Sequence, residues 1–471
     1  MTIAEYFERP DAQRVLLVDI QRSDASTTCY RLSDAYYVTE AGDTPPSLSY
    51  APVIQELPEF RRTLSEPFDG EASTGYGTFR IADADVSYTA SGGHGTGDIA
   101  LRRGSAITVK MAAPRHLFPL SDAVPLASLK VRRIGGSSDG SITFEAIDRT
   151  QEIADKAITI DTAVGPQTWG YARNMTPFLT APATLKYAVH TGAVEDIVEV
   201  YDQGVALGSG VGFTKNNAAG TFVLASSPAG VVTADVKGGK VGGVWLDSTA
   251  EIITQLLSNA GVSITTNINL PTGVVGIVIS ESTTLGEVLT QLCRGCAGYW
   301  LIDRTGELVA AQYPVPAGGG TTFDDLSLSE ASFEDVDRLY DKVRYAYRKN
   351  WTQYQALPAA TTAQATFAAS QGIENELTGT PADTELDHET SPLFQTYFDA
   401  QADAQAVAQR LLDIYLSPRK LITTTVPYSE ALDIGTAVTL GFDGQSFNGA
   451  VVSVVDRFGQ QYPIQQITVI A

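Results

Sequence analysis

The chain has 471 residues, of which 44% are hydrophobic and 18% charged, and its formal net charge is −22. That length exceeds what one hydrophobic core supports, so about two to four domains are expected, and the composition excludes a disordered chain. The acidic balance argues against a general nucleic-acid binder, because phosphate contacts need Lys and Arg, and no apolar run approaches the roughly 20 residues that cross a bilayer.

The opening MTIAEYFERPDAQRV shows neither a basic n-region nor an apolar h-region, so no secretory leader and synthesis in the cytoplasm are expected. From Val15 to about Thr159 the chain reads as short strands between turns. VLLVDIQ, CYRLSDAYYVT, GTFRIAD, DVSYTA, AITVKMA, ASLKVRRIG and SITFEAID alternate or are β-branched and aromatic, and no long helix is expected before Thr150. Residues 1–159 thus form a first β domain, a barrel or sandwich. Residues 160–239 remain β-rich but are broken by Gly, Ala and Pro, as in a linking domain.

Residues 240–316 change to an α/β texture. Ser248 with Glu251 and Thr284 with Glu287 are capping boxes. The first opens a helix ending at Gly261, with Ile253, Leu256, Leu257 and Ala260 on one face. The second opens a helix with Leu285, Val288, Leu289, Leu292, Cys293 and Cys296 on one stripe, and Gly298 is its expected C′ residue. A hairpin, YWLIDRTGELVAA, follows with its turn at Asp303 to Gly306. Residues 317–471 form the last domain. It contains a strand, DKVRYAYRKNW, a weakly helical polar stretch from Thr352 to Tyr397, and a helix with Ala404, Val407, Ala408, Leu411, Leu412 and Tyr415 in register, capped by Asp399 and stopped by Pro418. Four β segments close the chain, at Ile422–Val426, Thr436–Leu440, Ala450–Val455 and Ile464–Ile470. Between Gln371 and Thr390 lie six acids (Glu374, Glu376, Asp383, Glu385, Asp387, Glu389) and no Lys or Arg, which reads as a solvated loop. No period of about 20–50 residues repeats along the chain.

Chemistry-bearing patterns are sparse. The three cysteines, Cys29, Cys293 and Cys296, are too few for a disulfide framework and fit a reducing compartment. Cys293 and Cys296 form the only metal-like spacing. It reads first as two core thiols on a buried helical stripe, and second as half of a zinc site, an iron–sulfur site or a redox pair. His94, His116, His190 and His388 are dispersed. Ser91–Gly97 lacks the Lys-Ser/Thr of a phosphate loop, and Gly208–Gly212 lacks a strand–helix frame. Asp324 with Asp325, and Glu334 with Asp335 and Asp337, are neighbouring acids without aromatic surroundings for a sugar cleft. Arg102, Arg103 and the Lys130–Arg133 cluster read as ion-pair partners. No catalytic residue is therefore expected, and the class is a mainly β, multi-domain structural or interaction protein with α+β parts.

Four stretches carry a family resemblance. They are Gly170–Pro177 with Leu185–Ala193 and Tyr201–Gly204; Leu285–Gly306; Lys342–Asn350; and Ala404–Tyr415 followed by Ile434–Leu440. In this order they resemble the tail hub proteins of long-tailed bacteriophages and gene-transfer-agent-like particles, over roughly residue 165 to the end. Family hubs often carry Gly-Asp where Gly435-Thr436 stands here.

The resemblance implies a non-enzymatic virion protein, made and assembled in the host cytoplasm. It implies a homotrimeric ring at the tail tip or baseplate, in which two tube-like barrels per chain, the first and last domains, present a pseudo-six-fold face to the tail tube. A bracing helix would lie outside the last barrel, which would include the strand at Lys342. Distal tail and tube proteins and tip, spike or fibre proteins would be the partners, and DNA would pass through without stable binding. Acidic side chains lining the channel would discourage DNA from sticking. Some family hubs bear iron–sulfur clusters, which keeps Cys293 and Cys296 as metal candidates. The alternatives are a tail-associated cell-wall-degrading enzyme and a receptor- or carbohydrate-binding tip protein, the latter disfavoured by the dispersed Trp169, Trp245, Trp300 and Trp351.

Overall fold

The computed structural model describes residues 1–9, 11–21, 29–82, 103–114, 117–136, 141–316, 319–324, 328–336, 338–354, 361–381, 386–458 and 463–471. Strands dominate, and among the described residues the helices are α1 (Ile3–Phe7), α2 (Arg149–Ala154), α3 (Thr249–Asn259), α4 (Leu285–Arg294), α5 (Thr362–Ala369) and α6 (Gln401–Tyr415). The molecule is mainly β with α+β parts, built from several separate sheets.

The first sheet has seven strands, in the order Cys29–Ser33, Val15–Gln21, Ala106–Ala112, Val124–Gly136, Ser141–Asp148, Thr78–Ala82 and Ile54–Glu56. Every pairing in it is antiparallel. Val15–Gln21 is apolar on both faces because both are covered. Leu16, Val18 and Ile20 enter the main core, whereas Val15 and Leu17 pack with Tyr37, Tyr50 and Leu120 behind it. Burial on two sides turns an alternating strand into a continuous apolar run.

A second large sheet is formed near the C-terminus by Thr321–Phe323, Ala437–Phe442, Gln445–Phe458, Pro463–Ile470, Lys420–Pro427 and Ser329–Asp335, in that order. The two sheets share one topology. In the first, Thr78–Ala82 is followed in sequence by three strands that meander back, so the last of them pairs with it. In the second, Lys420–Pro427 and the next three strands do the same. An earlier strand flanks the starting strand in both, Ile54–Glu56 in one and Ser329–Asp335 in the other. Another flanks the opposite side, Val15–Gln21 antiparallel and Thr321–Phe323 parallel. The third strand of the meander is the longest in each, 13 and 14 residues, and each carries a register shift. Bulges add twist and let long strands curve.

Between these units, residues 167–279 build a smaller β body. Val205–Ala206, Val194–Asp202, Val232–Val241, Gln167–Met175 and Gly276–Ile279 form its main sheet, and a four-stranded sheet runs from Phe178 to Leu224. Their shared core includes Ile197, Val200, Phe213, Phe222 and Val236. The α/β part packs α3 and α4 on the hairpin Gly298–Ile302 and Leu308–Gln312, with Thr266–Asn269 added in parallel. Both capping boxes form. The Ser248 hydroxyl accepts from the Glu251 N–H and the Thr284 hydroxyl from the Glu287 N–H, and each glutamate returns a bond to its cap. The turn Asp303–Gly306 closes with a 3.1 Å backbone bond.

Four local expectations differ from the structure. Asp399 does not cap α6: Ala400 occupies that position without a side-chain bond. The Asp399 carboxylate instead takes a bidentate bond from Arg173, at 2.9 and 3.1 Å, and lies 3.4 Å from Arg348. Ion pairing with two guanidiniums outcompetes one cap bond. Gly298 opens a strand rather than ending α4, and the left-handed residue after that helix is Ala297, at φ 48°. Gly298 is needed because a Cβ there would sit 2.5 Å from the Ala311 carbonyl oxygen. Cys296 therefore lies in the turn beyond α4 and not on its stripe. Lastly, Ile373–Thr378, within the expected acidic loop, is an edge strand antiparallel to Tyr340–Tyr347, with Glu374 and Glu376 exposed.

The strand Tyr340–Tyr347 also stands apart from the C-terminal sheet. With Ile373–Thr378, Glu389–Thr390 and Phe394–Gln395 it makes a separate sheet. Helix α6 buries Ala404, Val407, Ala408 and Leu411 in the central core with Val343, Tyr345 and Phe394. Only its last turn, through Ile414 and Tyr415, joins the cluster holding Ala450, Val452 and Ile470 of the C-terminal sheet. The apolar stripe of α6, expected to brace the last barrel, thus mainly fills the centre of the molecule. The expected strand at 85–90, the 91–97 loop with His94, and His116, Arg102, Asp325, Asp337, Asp383 and Glu385 lie outside the described residues.

Because Leu411 is fully buried in this central core, Leu411→Ala is expected to lower the unfolding free energy by about 2–5 kcal/mol. Denaturant titration of the variant checks it. A loss below about 0.5 kcal/mol, as at an exposed position, would contradict the packing of α6.

Candidate assembly interface

The N-terminal part of the chain contributes a strand and a buried charge to the C-terminal sheet. Phe60–Leu64, a strand from the N-terminal part of the chain, pairs antiparallel with residues 453–456 of the long strand Gln445–Phe458. The long strand outruns its partner Ala437–Phe442, which pairs only residues 445–450, and the vacated edge accepts Phe60–Leu64. The alternation F-R-R-T-L turns Phe60, Arg62 and Leu64 to one face, and all are buried. Phe60 meets the rings of Tyr76 and Phe458 at 5.5 and 5.4 Å. Tyr428 and Phe458, from the C-terminal unit, lie in the N-terminal core.

A guanidinium on the buried face of a strand is costly unless it is paired, and Arg62 is paired through Nε and Nη2 while its Nη1 finds no hydrogen-bond partner among the described residues. Arg62 is completely buried, with Nε 3.0 Å from Asp433 Oδ1 and Nη2 3.3 Å from Asp456 Oδ2. Asp456 is 1% exposed. Its second oxygen accepts a 2.8 Å bond from Gln465, whose own carbonyl accepts from the Ser429 N–H at 2.8 Å. Arg304, from the α/β hairpin turn, donates to the Tyr428 hydroxyl at 3.0 Å and the Leu432 carbonyl at 2.5 Å, and lies 3.5 Å from Asp433. Burial alone would favour an uncharged Arg62, but the Asp456 and Asp433 carboxylates outweigh it and hold the group charged. At the other end of the junction, Arg14 pairs with Asp34 and donates to the Phe458 carbonyl at 2.7 Å. This cluster ties three parts of the chain, around residues 62, 304 and 433–456, into one body.

Among the described residues, those marked in the sequence for chemistry do not converge. Cys293 and Cys296 are fully buried and free. Burial pushes the Cys293 thiol well up and the Cys296 thiol to about 12, despite the Thr249 hydroxyl 3.5 Å from its sulfur. Metal ligation needs thiolates, and among the described residues no group of at least three His, Cys, Asp or Glu side chains is arranged to hold an ion. The residues present therefore do not fit a cluster or a tetrahedral zinc. His190 is buried against Trp169 at 4.9 Å and accepts the Thr168 N–H at 3.0 Å, whereas His388 is exposed. Asp335 pairs with Lys420 at 3.5 Å. Within the Lys130–Arg133 cluster, Lys130 pairs with Glu152 and Arg132 with Glu145. Gly208–Gly212 forms turns, with its first N–H bound by Glu199. Trp169 and Trp300 are buried.

No family model matches the chain, and no curated protein matches it. Solved structures similar to it over nearly their whole length are tail proteins. The 43 kDa tail protein of prophage MuSo2 from Shewanella oneidensis is 13% identical, with 97% of this chain and 98% of that chain covered, at a TM-score of 0.43. A tail protein from Neisseria meningitidis MC58 is 9% identical, with 98% and 97% covered, at 0.46. Prophage tail protein gp18 from Listeria monocytogenes EGD-e is 10% identical, with 98% and 94% covered, at 0.45.

Asp456→Ala is expected to cost about 3–5 kcal/mol, because it leaves Arg62 buried with one partly exposed partner; a loss under about 1 kcal/mol, typical of surface pairs, would contradict the buried cluster. A second prediction concerns pH. Burial lowers the His190 pKa from 6.5 to about 4, so the folded ring stays neutral where the unfolded one takes a proton. Stability should fall as pH drops from 6.5 towards 4, by up to ~3 kcal/mol from this group. Urea titrations of wild type and His190→Gln across that range should differ in slope, and parallel slopes would remove His190 as the source.

Proposed function

We propose that the chain is a structural component of a phage-type tail, forming the hub at the tail tip or baseplate, and that it is not an enzyme. The observation that carries this reading is the pair of β units with one strand order, packed together where Phe60, Tyr428 and Phe458 enter the N-terminal core. A chain holding two like units rigidly side by side supplies two equivalent positions of a ring, and three such chains supply six. That is the arithmetic of a homotrimer fitted to a hexameric tube, as the family resemblance implies. The units correspond to the first and last domains, near residues 1–159 and 317–471, and the bodies between them are the candidate surfaces for tip, spike or fibre proteins.

Among the described residues no group of three or more His, Cys, Asp or Glu side chains is arranged to hold a metal ion, and the assembly role rests on the paired β units. The net charge of −22 suits a channel wall that DNA passes without binding. Cys293 and Cys296 act here as two small core residues. No helix among the described residues is long and apolar enough to cross a membrane, and the protein's place is the virion.

Light scattering or native mass spectrometry of the purified chain is expected to give a trimer, and a peptidoglycan zymogram to stay blank. A chain that remains monomeric at the concentrations of tail assembly, or a cleared zymogram band, would overturn the reading.

A further inference from the structure

One end of the small β body is nearly free of charge. The 32 residues from Gln203 to Ala234 carry one charge, Lys215, in a chain with 54 acids and 32 Lys and Arg. Lys215 is itself paired with Asp196 at 2.6 Å. The loops of this stretch are joined into one tip. The Gln203 N–H donates to the Val231 carbonyl at 3.0 Å, and the Ala225 N–H to the Gly212 carbonyl at 3.0 Å. Asp202, the acid that precedes the stretch, accepts the Ala229 and Gly230 N–H groups at 2.6 and 2.9 Å, so its carboxylate holds the tip together.

Apolar side chains stand out on this tip. Val205, Val211 and Val231 are 37, 83 and 45% exposed, and Val211 is the most exposed large apolar side chain among the described residues. Residues 203–212 and 225–231 contain no charged and no aromatic side chain. Exposed apolar groups on a charge-free surface have the composition of a protein interface core. A bilayer surface is held by aromatic anchors and a basic face, and a nucleic acid by cations; the tip offers none of these. That leaves a protein partner, and charge selects which. Each copy of this chain has a net charge of −22, so copies repel one another and close best where acids do not face acids.

We propose that the tip bearing Val205, Val211 and Val231 meets the same tip on other copies of this chain, gathering them around a common axis. Ala206, Gly210 and Ala229 beside the valines let the backbones approach closely. This contact rests on the ring reading and names a surface through which the copies associate; the other faces of the central bodies remain for tip, spike or fibre proteins.

The test compares assembly of the full wild-type chain with Val211→Asp, with Val211→Asp/Val231→Asp, and with the control Val164→Asp, a valine 49% exposed outside these loops. Native mass spectrometry and light scattering over a concentration series give the readout. The wild type should form a trimer. The concentration of half-assembly should rise about tenfold or more in the single variant and further in the double, and stay unchanged in the control. Thermal unfolding should remain close to wild type in all of them, because the substituted side chains are exposed. Raising NaCl from about 0.05 to 0.5 M should strengthen wild-type assembly, since salt screens the repulsion between copies and the tip has no ion pair to lose. A monomeric wild type would sink the ring reading and this contact with it. A trimeric wild type whose tip variants assemble equally well would overturn the contact alone, as would equal weakening by Val164→Asp. Weaker assembly at high salt marks an ion-paired contact and would overturn it too. Binding to phosphatidylcholine vesicles that Val211→Asp abolishes would assign the tip to a lipid surface instead.

Discussion

A guanidinium with no solvent contact decides how this molecule is put together. Arg62 sits on the apolar face of a short strand, where desolvating a charge costs several kcal/mol unless paired and hydrogen-bonded groups offset it. The partners, Asp433 and Asp456, belong to the opposite end of the chain, so the Arg62 charge is compensated only while Phe60–Leu64 is seated on the C-terminal sheet. Such a device penalises every arrangement in which they are apart. A hydrophobic contact would tolerate sliding, whereas a buried, bidirectional charge network fixes register. Gln465 and Arg304 extend the network to the closing strand and the α/β hairpin.

From that junction the rest follows in order. The long third strand of the C-terminal unit leaves part of its edge free, and Phe60–Leu64 covers it. Covered edges do not recruit other chains indiscriminately. Helix α6 then fills the space between the C-terminal unit and the central bodies, and Asp399 at its start ties it to Arg173 and Arg348. The result is a frame in which the N-terminal strand, the C-terminal sheet and the central bodies are tied by buried and half-buried ion pairs.

Some of this was legible in the sequence. The capping boxes of α3 and α4 were, because capping depends on a residue and its neighbour three positions on. Apolar strands such as Val15–Gln21 and Ser141–Asp148 were too, because their period is strong. Phe60–Leu64 was not, since two arginines in five residues read as surface, although Arg62 stands in phase with Phe60 and Leu64. Ile373–Thr378 was hidden in the same way by its glutamates, which occupy the exposed phase of a strand. Asp399 looked like a cap because capping is local, and the arginines that claim it are remote in sequence. The repeated strand order left no trace as a sequence period, because a sheet topology fixes alternation and length but not which apolar side chain fills each site. Long-range pairing is the part that local pattern cannot carry.

We propose that one chain supplies two equivalent positions of a ring. Electron microscopy of the assembled tail tip is the direct test. Three copies around the channel are expected, with the N-terminal and C-terminal β units alternating at one radius to give six similar lobes. Any other copy number, or the two units at different radii or heights along the axis, would contradict it.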